Sequence, residues 1–178
     1  SISNAATICN GGNVTLNAGG GTGYMWSNSA NTASITVSPT SNTTYTVTVT
    51  DANTCSATAG VSVTVNSLPN AAITGNTTIC NGNSTTLTAD GGTIYLWSNN
   101  DNTAGTTVAP TTNTAYTVTV TDANSCSATA SVSVSVNQPS YHSITTTLCY
   151  GSIYPFNGQN LAQAGTYYDT LANTVGCD

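Results

Sequence analysis

Few side chains in this 178-residue sequence could carry acid–base or thiol chemistry: one histidine, six aspartates and six cysteines. Glutamate, lysine and arginine are absent. General acid–base catalysis needs groups that exchange protons near neutral pH, and covalent catalysis needs a nucleophile beside a base. The sequence marks neither a nucleophile nor an orienting group for His142. We therefore predict a protein that is not an enzyme.

One pair of aspartates is the main alternative to that prediction. Asp90 and Asp101 flank the segment around Trp97, and paired carboxylates could hydrolyse a glycosidic bond. The corresponding positions 71 residues earlier are Gly19 and Ala30, so the pair is not part of the repeated pattern. Variation between loops is the interpretation that this difference favours.

Asp51 and Asp122 each begin an Asp-Ala-Asn turn. An aspartate in that position can accept backbone N–H groups and close an Asx turn. One carboxylate per turn is too few for calcium, which takes six to eight oxygens. The sequence therefore predicts structural turns, with no metal and no cofactor.

The six cysteines are regularly spaced. Cys9 and Cys55 are 46 positions apart, and so are Cys80 and Cys126. No C-x-x-C pair or zinc-ligand spacing occurs in the sequence. An even number of cysteines predicts disulfides, and hence an oxidising compartment outside the cytoplasm. From the matched spacing we expect the bonds Cys9–Cys55 and Cys80–Cys126.

The charge of the chain excludes several partners. With no Lys or Arg and a net charge of −6, it has no basic surface for nucleic-acid phosphates or for anionic membrane lipids. Solubility must come from neutral polar groups, chiefly Thr, Asn and Ser. We predict no nucleic-acid partner and no insertion into a membrane.

The sequence is a tandem repeat with a period of 71 residues. Trp26 recurs as Trp97, and Tyr45 recurs as Tyr116. The sequence changes character from residue 141 onwards. The predicted organisation is a first repeat at 1–66, a linker at 67–70, a second repeat at 71–137, a linker at 138–140 and a partial third β-domain at 141–178.

Apolar and hydroxyl residues alternate within each copy, as in "TYTVTVT" from residue 44. Alternation with period 2 predicts strands with one buried face and one wet face. Short strands between Gly, Asn and Pro, with a tryptophan before a Tyr-led strand, predict immunoglobulin-like β-sandwiches. The predicted core aromatics are Trp26, Tyr45, Trp97 and Tyr116.

The motifs C-N-G-x-x-x-T-L, G-T-x-Y-x-W-S and Y-T-V-T-V-T-D-A-N-x-C-S-A-T-A occur in both copies. They resemble the PKD/Ig-like tandem repeats of Bacteroidota surface proteins, which include large gliding and cell-surface adhesins exported by the type IX system. The resemblance covers about residues 1–137. It implies an extracellular, non-enzymatic chain built from many repeats.

The tail, "CYGSIYPFNGQNLAQAGTYYDTL" to "GCD", resembles a second repeat type of the same proteins. With the other cysteines assigned, this resemblance implies a bond Cys149–Cys177. "Asp169-Thr170-Leu171" resembles the O-glycosylation pattern of Bacteroidota, with Thr170 as the acceptor. The tail tyrosines are candidates for stacking on sugars: Tyr150, Tyr154, Tyr167 and Tyr168.

These observations predict a structural or adhesive segment of a bacterial surface adhesin or filament. Its partners would be neighbouring repeats or subunits of the same protein, and surface glycans are the alternative partner. Two rival hypotheses stay open: a carbohydrate-binding accessory module of a secreted hydrolase, and a pilin-like subunit that polymerises by strand addition. The second follows from the tail, because 38 residues are few for a domain that folds alone.

Overall fold

A computed structural model describes residues 1–156, 158–171 and 177 of the chain, without the side chains of residues 140–142 and 169–171. These residues form strands, turns and loops and contain no helix. Accordingly, the described part holds no helix able to cross a membrane. The prediction of an all-β protein is confirmed.

The first copy forms two facing sheets. Its strands are β1 (Ala6–Cys9), β2 (Val14–Asn17), β3 (Gly23–Trp26), β4 (Ser34–Val37), β5 (Thr43–Thr50) and β6 (Ser56–Asn66). One sheet has the order β1-β6-β5-β3, and the other pairs β2 with β4. Placing the third, fifth and last strands in one sheet and the second and fourth in the other is the immunoglobulin-like arrangement.

The predicted alternation along the hairpin divides a core from a wet face. Seven buried residues fill the space between the sheets: Leu16, Trp26, Ile35, Val37, Val47, Val61 and Val63. On the outer face hydroxyl groups pair across the hairpin, Thr44 with Ser62 at 3.2 Å and Thr48 with Thr58 at 3.4 Å. The exposed face of the hairpin therefore forms its hydrogen bonds through hydroxyl groups and without charged side chains.

The first strand of the copy runs parallel to the last. Ala6 pairs with Val63, and Cys9 pairs with Asn66 at the far end of β6. Because β6 has 11 residues, the register fixes Cys9 beside the end of that strand and away from its start at Ser56. This register decides which cysteines can meet.

The second copy repeats the arrangement. Its strands are β7 (Ala72–Gly75), β8 (Thr78–Cys80), β9 (Thr85–Asp90), β10 (Ile94–Trp97), β11 (Gly105–Val108), β12 (Thr114–Thr121) and β13 (Ser127–Asn137). The sheet orders are β8-β13-β12-β10 and β11-β9-β7. β8 again runs parallel to β13, with Cys80 opposite Asn137.

The tail adds four strands: β14 (Ser140–Thr146), β15 (Tyr154–Phe156), β16 (Gln159–Leu161) and β17 (Gly165–Leu171). β14 pairs with β17, and β15 pairs with β16, each as an antiparallel two-stranded sheet among the described residues. The sequence also predicts a strand in the last few residues, which apart from Cys177 lie outside the described part. Completion of the tail by an external strand stays a prediction.

By its internal contacts the chain divides into two compact units, and the division does not follow the sequence repeat. The first unit contains Ser1–Ala71, Gly91–Ile94 and Thr119–Ala128. The second contains Ala72–Asp90, Tyr95–Val118 and Thr129–Asp178. The turn of the second sequence copy that carries Cys126 therefore belongs to the same compact unit as the first copy.

Truncating the core tryptophan should unfold a copy, whereas truncating its neighbour should not. Trp97 is 1 % exposed and donates its indole N–H to the Thr103 carbonyl at 3.0 Å. Trp97→Ala should lower the free energy of unfolding by about 3–5 kcal/mol. Leu96→Ala, at a position 55 % exposed, is the matched control and should change it by about 0.5 kcal/mol or less. Urea unfolding followed by circular dichroism measures both, and equal losses would contradict the core assignment.

Candidate functional site

The cysteines pair differently from the sequence prediction. Cys9 is bonded to Cys126 and Cys80 to Cys177, with Cα–Cα distances of 5.6 and 5.4 Å. Cys55 and Cys149 are exposed and unbonded. All six cysteines lie among the described residues, so the predicted bonds Cys9–Cys55, Cys80–Cys126 and Cys149–Cys177 are each wrong.

The parallel register of the first strand explains the correction within the first copy. Cys9 lies opposite Asn66, whereas Cys55 immediately precedes Ser56 at the other end of the same strand. Ten residue steps along a strand span roughly 33 Å. A disulfide needs its two Cα atoms within about 7 Å, so these two cysteines cannot bond to each other.

The same geometry separates the other predicted partners. Cys126 precedes the start of β13, whereas Cys80 lies opposite its last residue, Asn137. In the tail, Cys149 follows the end of β14 that pairs with Gly165. Cys177 is bonded to Cys80 and is therefore not available to Cys149. Each sandwich holds its two cysteines at opposite ends.

The first cysteine of each repeat lies in the same tight turn, here called the leading turn (residues 9–12, 80–83 and 149–152). The cysteine carbonyl accepts the backbone N–H three residues later, at 2.8 Å from Gly12, 3.0 Å from Asn83 and 3.0 Å from Ser152. The third residue of each turn is a glycine with a positive φ of 80–90°. A side chain at that φ would be strained, so glycine fixes the turn and presents the cysteine.

The second cysteine of each sandwich lies in what we call the trailing turn (residues 51–55 and 122–126). The Asp51 carboxylate accepts the N–H groups of Asn53 at 2.8 Å and Cys55 at 2.9 Å. Asp122 accepts those of Asn124 and Cys126, both at 2.9 Å. The predicted Asx turns are confirmed, and their carboxylates hold the cysteine backbone in place.

Asp90 and Asp101, the pair of carboxylates with no counterpart in the first copy, lie on a strand and in a loop respectively. Asp101 accepts hydrogen bonds from Asn99 and from the hydroxyl of Thr106, which is 1 % exposed. Its backbone carbonyl also accepts the Trp97 N–H at 2.8 Å. Asp90 ends strand β9. Asp101 thus stabilises a loop, and no group of three or more metal-binding side chains occurs in the described part of the chain.

The aromatic candidates separate into buried and exposed sets. Trp26 and Trp97 are buried, whereas Tyr45 and Tyr116 are half-buried at the edge of each core. The exposed members in the tail are Tyr150, Tyr154 and Tyr168. Tyr167 is half-buried, and its hydroxyl donates to the Gln163 carbonyl at 2.7 Å.

Two further candidates lie on the tail ladder. His142 of β14 pairs with Asp169 of β17, and Thr170 of β17 pairs with Tyr141 of β14. Their side chains lie outside the description, so glycosylation of Thr170 stays a prediction.

Comparison with known proteins gives only distant likenesses. No family model and no curated protein matches the chain. Murine CEACAM1b is 13 % identical with a TM-score of 0.35, over 78 % of this chain and 100 % of that one. A 1.5-MDa bacterial ice-binding adhesin is 13 % identical with a TM-score of 0.37, over 98 % and 83 %. The SGBP-B protein of the Bacteroides ovatus mixed-linkage glucan utilization locus, in complex with a heptasaccharide, is 16 % identical with a TM-score of 0.27, over 99 % and 57 %.

A digest that cuts before each aspartate will distinguish the two sets of bonds. The cysteines then fall in four peptides: 1–50, 51–89, 122–168 and 169–177. The structure predicts two separate pairs, 1–50 with 122–168 and 51–89 with 169–177, each carrying one alkylated thiol. The pairing expected from spacing would join all four peptides in one complex without a thiol. Mass spectrometry of monomeric protein, alkylated before digestion and compared with a reduced sample, decides between them.

Proposed function

We propose that this chain is a non-enzymatic, extracellular structural segment of a bacterial surface adhesin or filament. The observation that carries the proposal is the pair of overlapping disulfides, with sequence separations of 117 and 97 residues. Each bond joins a leading-turn cysteine to a cysteine of the following repeat. A chain with these two bonds can be extended less under load than a chain of sandwiches that are not joined by disulfides.

The mechanical role follows from the covalent path. Under tension, the shortest covalent path crosses the Cys9–Cys126 bond, runs along residues 80–126 and crosses the Cys80–Cys177 bond. Most of the polypeptide is then shielded from load even after a sandwich unfolds. The two folded sandwiches, with cores around Trp26 and Trp97, would act as spacers along the filament or adhesin.

The surface chemistry supports an extracellular and non-enzymatic role. Disulfides persist in oxidising compartments, and the exposed hydroxyl pairs of the hairpin remain wet at any pH. Asp101 is engaged in a loop, and the aspartates of the trailing turns are engaged with backbone N–H groups. The carboxylates of Asp51, Asp101 and Asp122 therefore each have a structural role.

Extension of single molecules tests the mechanical proposal. Pulled from its two ends, the oxidised chain should stop at a contour length well below that of the reduced chain. Reduction should add roughly 40 nm, because residues 10–79 and 127–176, each enclosed by only one bond and shielded while that bond is intact, become extensible at about 3.6 Å per residue. A Cys55→Ser/Cys149→Ser variant is the control, since it keeps both bonds and should behave as the parent does. Equal contour lengths before and after reduction would contradict the proposal.

Glycan binding by the tail is a second candidate function. Tyr150 is fully exposed, and Tyr168 is 73 % exposed. Aromatic rings that face solvent offer apolar faces that can stack on sugar rings. Surface glycans would then be the partner of a segment that is otherwise structural.

Loss of one exposed ring should abolish such binding. Tyr150→Ala is expected to remove any glycan-array signal without changing the circular dichroism spectrum. Ser143→Ala, at an exposed position of the tail ladder opposite Tyr168, is the control and should keep the signal. An array on which the parent protein binds no glycan, or a signal unchanged by Tyr150→Ala, would exclude this candidate.

A further inference from the structure

Both disulfides join the same two positions in successive repeats, and this pattern leaves one cysteine of each kind unbonded. Cys9 of the first repeat is bonded to Cys126 of the second, and Cys80 of the second is bonded to Cys177 of the tail. Each bond therefore runs from a leading turn to the second cysteine of the next repeat. Cys149 is a leading-turn cysteine without such a partner, and Cys55 is a trailing-turn cysteine without one.

The turn of Cys149 has the geometry of the leading turns that are bonded. Its carbonyl accepts the Ser152 N–H at 3.0 Å, as the Cys80 carbonyl accepts that of Asn83. Gly151 has φ 80°, close to the 85° of Gly11. A cysteine held in the conformation that forms bonds elsewhere in the chain, and exposed, is prepared to form one.

The turn of Cys55 likewise matches the bonded trailing turn. Asp51 holds the Cys55 N–H at 2.9 Å, as Asp122 holds that of Cys126. Thr54 has φ 67° and Ser125 has φ 62°, so the residue before each cysteine adopts the same left-handed conformation. The two turns differ in the bond and not in the backbone.

The surface around Cys55 is open where the corresponding surface around Cys126 is closed. A cavity of about 260 Å³ lies against Asp51, Cys55 and Ala57 and reaches Val49 and Gly20. In the second copy, within the first compact unit, Val120 and Cys126 are 0 % exposed. Their counterparts Val49 and Cys55 are half-buried and exposed. An uncovered copy of a surface that is covered elsewhere points to a missing occupant of the same kind.

We propose that this occupant is the leading turn of a second copy of this chain, joined by a disulfide between its Cys149 and Cys55. Each copy offers one unbonded cysteine of each kind, so the contact is head-to-tail and copies can be added in series. The link reproduces between molecules the bond that Cys9 and Cys126 make within one. It goes beyond the proposed structural role, which the two internal bonds fulfil alone.

The step needs an oxidant, for which a small-molecule disulfide such as oxidised glutathione suffices. The Cys149 thiolate attacks one glutathione sulfur, which forms a mixed disulfide and releases one glutathione thiolate. The Cys55 thiolate of the second copy then attacks the Cys149 sulfur and releases the second glutathione thiolate. Two protein thiols become one disulfide, and one oxidised glutathione becomes two reduced ones.

Two variants that each keep one of the thiols test the pairing. Cys55→Ser retains Cys149, and Cys149→Ser retains Cys55. Mixed in oxidised glutathione, they should form the heterodimer about tenfold faster than either variant forms its homodimer, because docking orients the two thiols. In the parent chain the same treatment should give a ladder of oligomers on non-reducing gels. Its digest should join peptide 51–89 to peptide 122–168 of another copy.

A steric variant separates docking from random oxidation. Ala57→Gln fills the cavity beside Cys55 and should slow the heterodimer without changing the homodimer of Cys55→Ser. Ala33→Gln, at an exposed position outside that cavity, should leave both rates unchanged. A statistical mixture of dimers, a Cys55–Cys149 bond inside one molecule, or a heterodimer rate insensitive to Ala57→Gln would each overturn the proposal. None of these results would alter the extension of a single oxidised chain, so the structural role is tested separately.

Discussion

The parallel pairing of the first strand of each sandwich with its last strand is the constraint on which the rest of the structure depends. It places Cys9 beside Asn66 and Cys80 beside Asn137, while Cys55 and Cys126 stay at the start of the same two strands. A single repeat cannot bridge its own cysteines across an 11-residue strand. Each leading cysteine is therefore available only to another repeat.

The division of each copy into an apolar and a hydroxyl face makes this arrangement possible without charged residues. Valines of the hairpin bury themselves against the tryptophan, and threonines on the opposite face pair with one another or meet water. In the turns, the carboxylates of Asp51 and Asp122 accept hydrogen bonds from backbone N–H groups that would otherwise lack acceptors. Stability and covalent continuity are thus supplied by different parts of the same repeat.

The sequence predicted the fold more fully than it predicted the site. Period-2 alternation placed β5 and β6, and the Asp-Ala-Asn motif predicted the Asx turns, because both signals depend on neighbouring residues. Strand β16 was missed, since "QNL" has neither alternation nor β-branched or aromatic residues. The exposed state of Tyr150 agreed with its assignment to the tail surface, whereas Tyr167 proved half-buried.

The disulfides were mispredicted because equal spacing says nothing about the direction in which a strand pairs. Had the first strand been read as parallel to the last, the 11-residue length of β6 would have excluded Cys9–Cys55. The long separation of 117 residues between true partners has no local signal at all. Bonds between repeats depend on tertiary register, which composition and periodicity do not encode.

Unfolding of cysteine variants is the most direct test of the claim that bonds join successive repeats. If Cys9 and Cys126 are bonded to each other, then Cys9→Ser, Cys126→Ser and the double variant should lose the same free energy of unfolding, about 3–5 kcal/mol. Cys55→Ser should lose almost none. Urea unfolding of thiol-alkylated proteins supplies the four values. Equal losses for Cys9→Ser and Cys55→Ser, with the Cys126→Ser loss adding to that of Cys9→Ser, would show that each repeat closes on itself and would contradict the account.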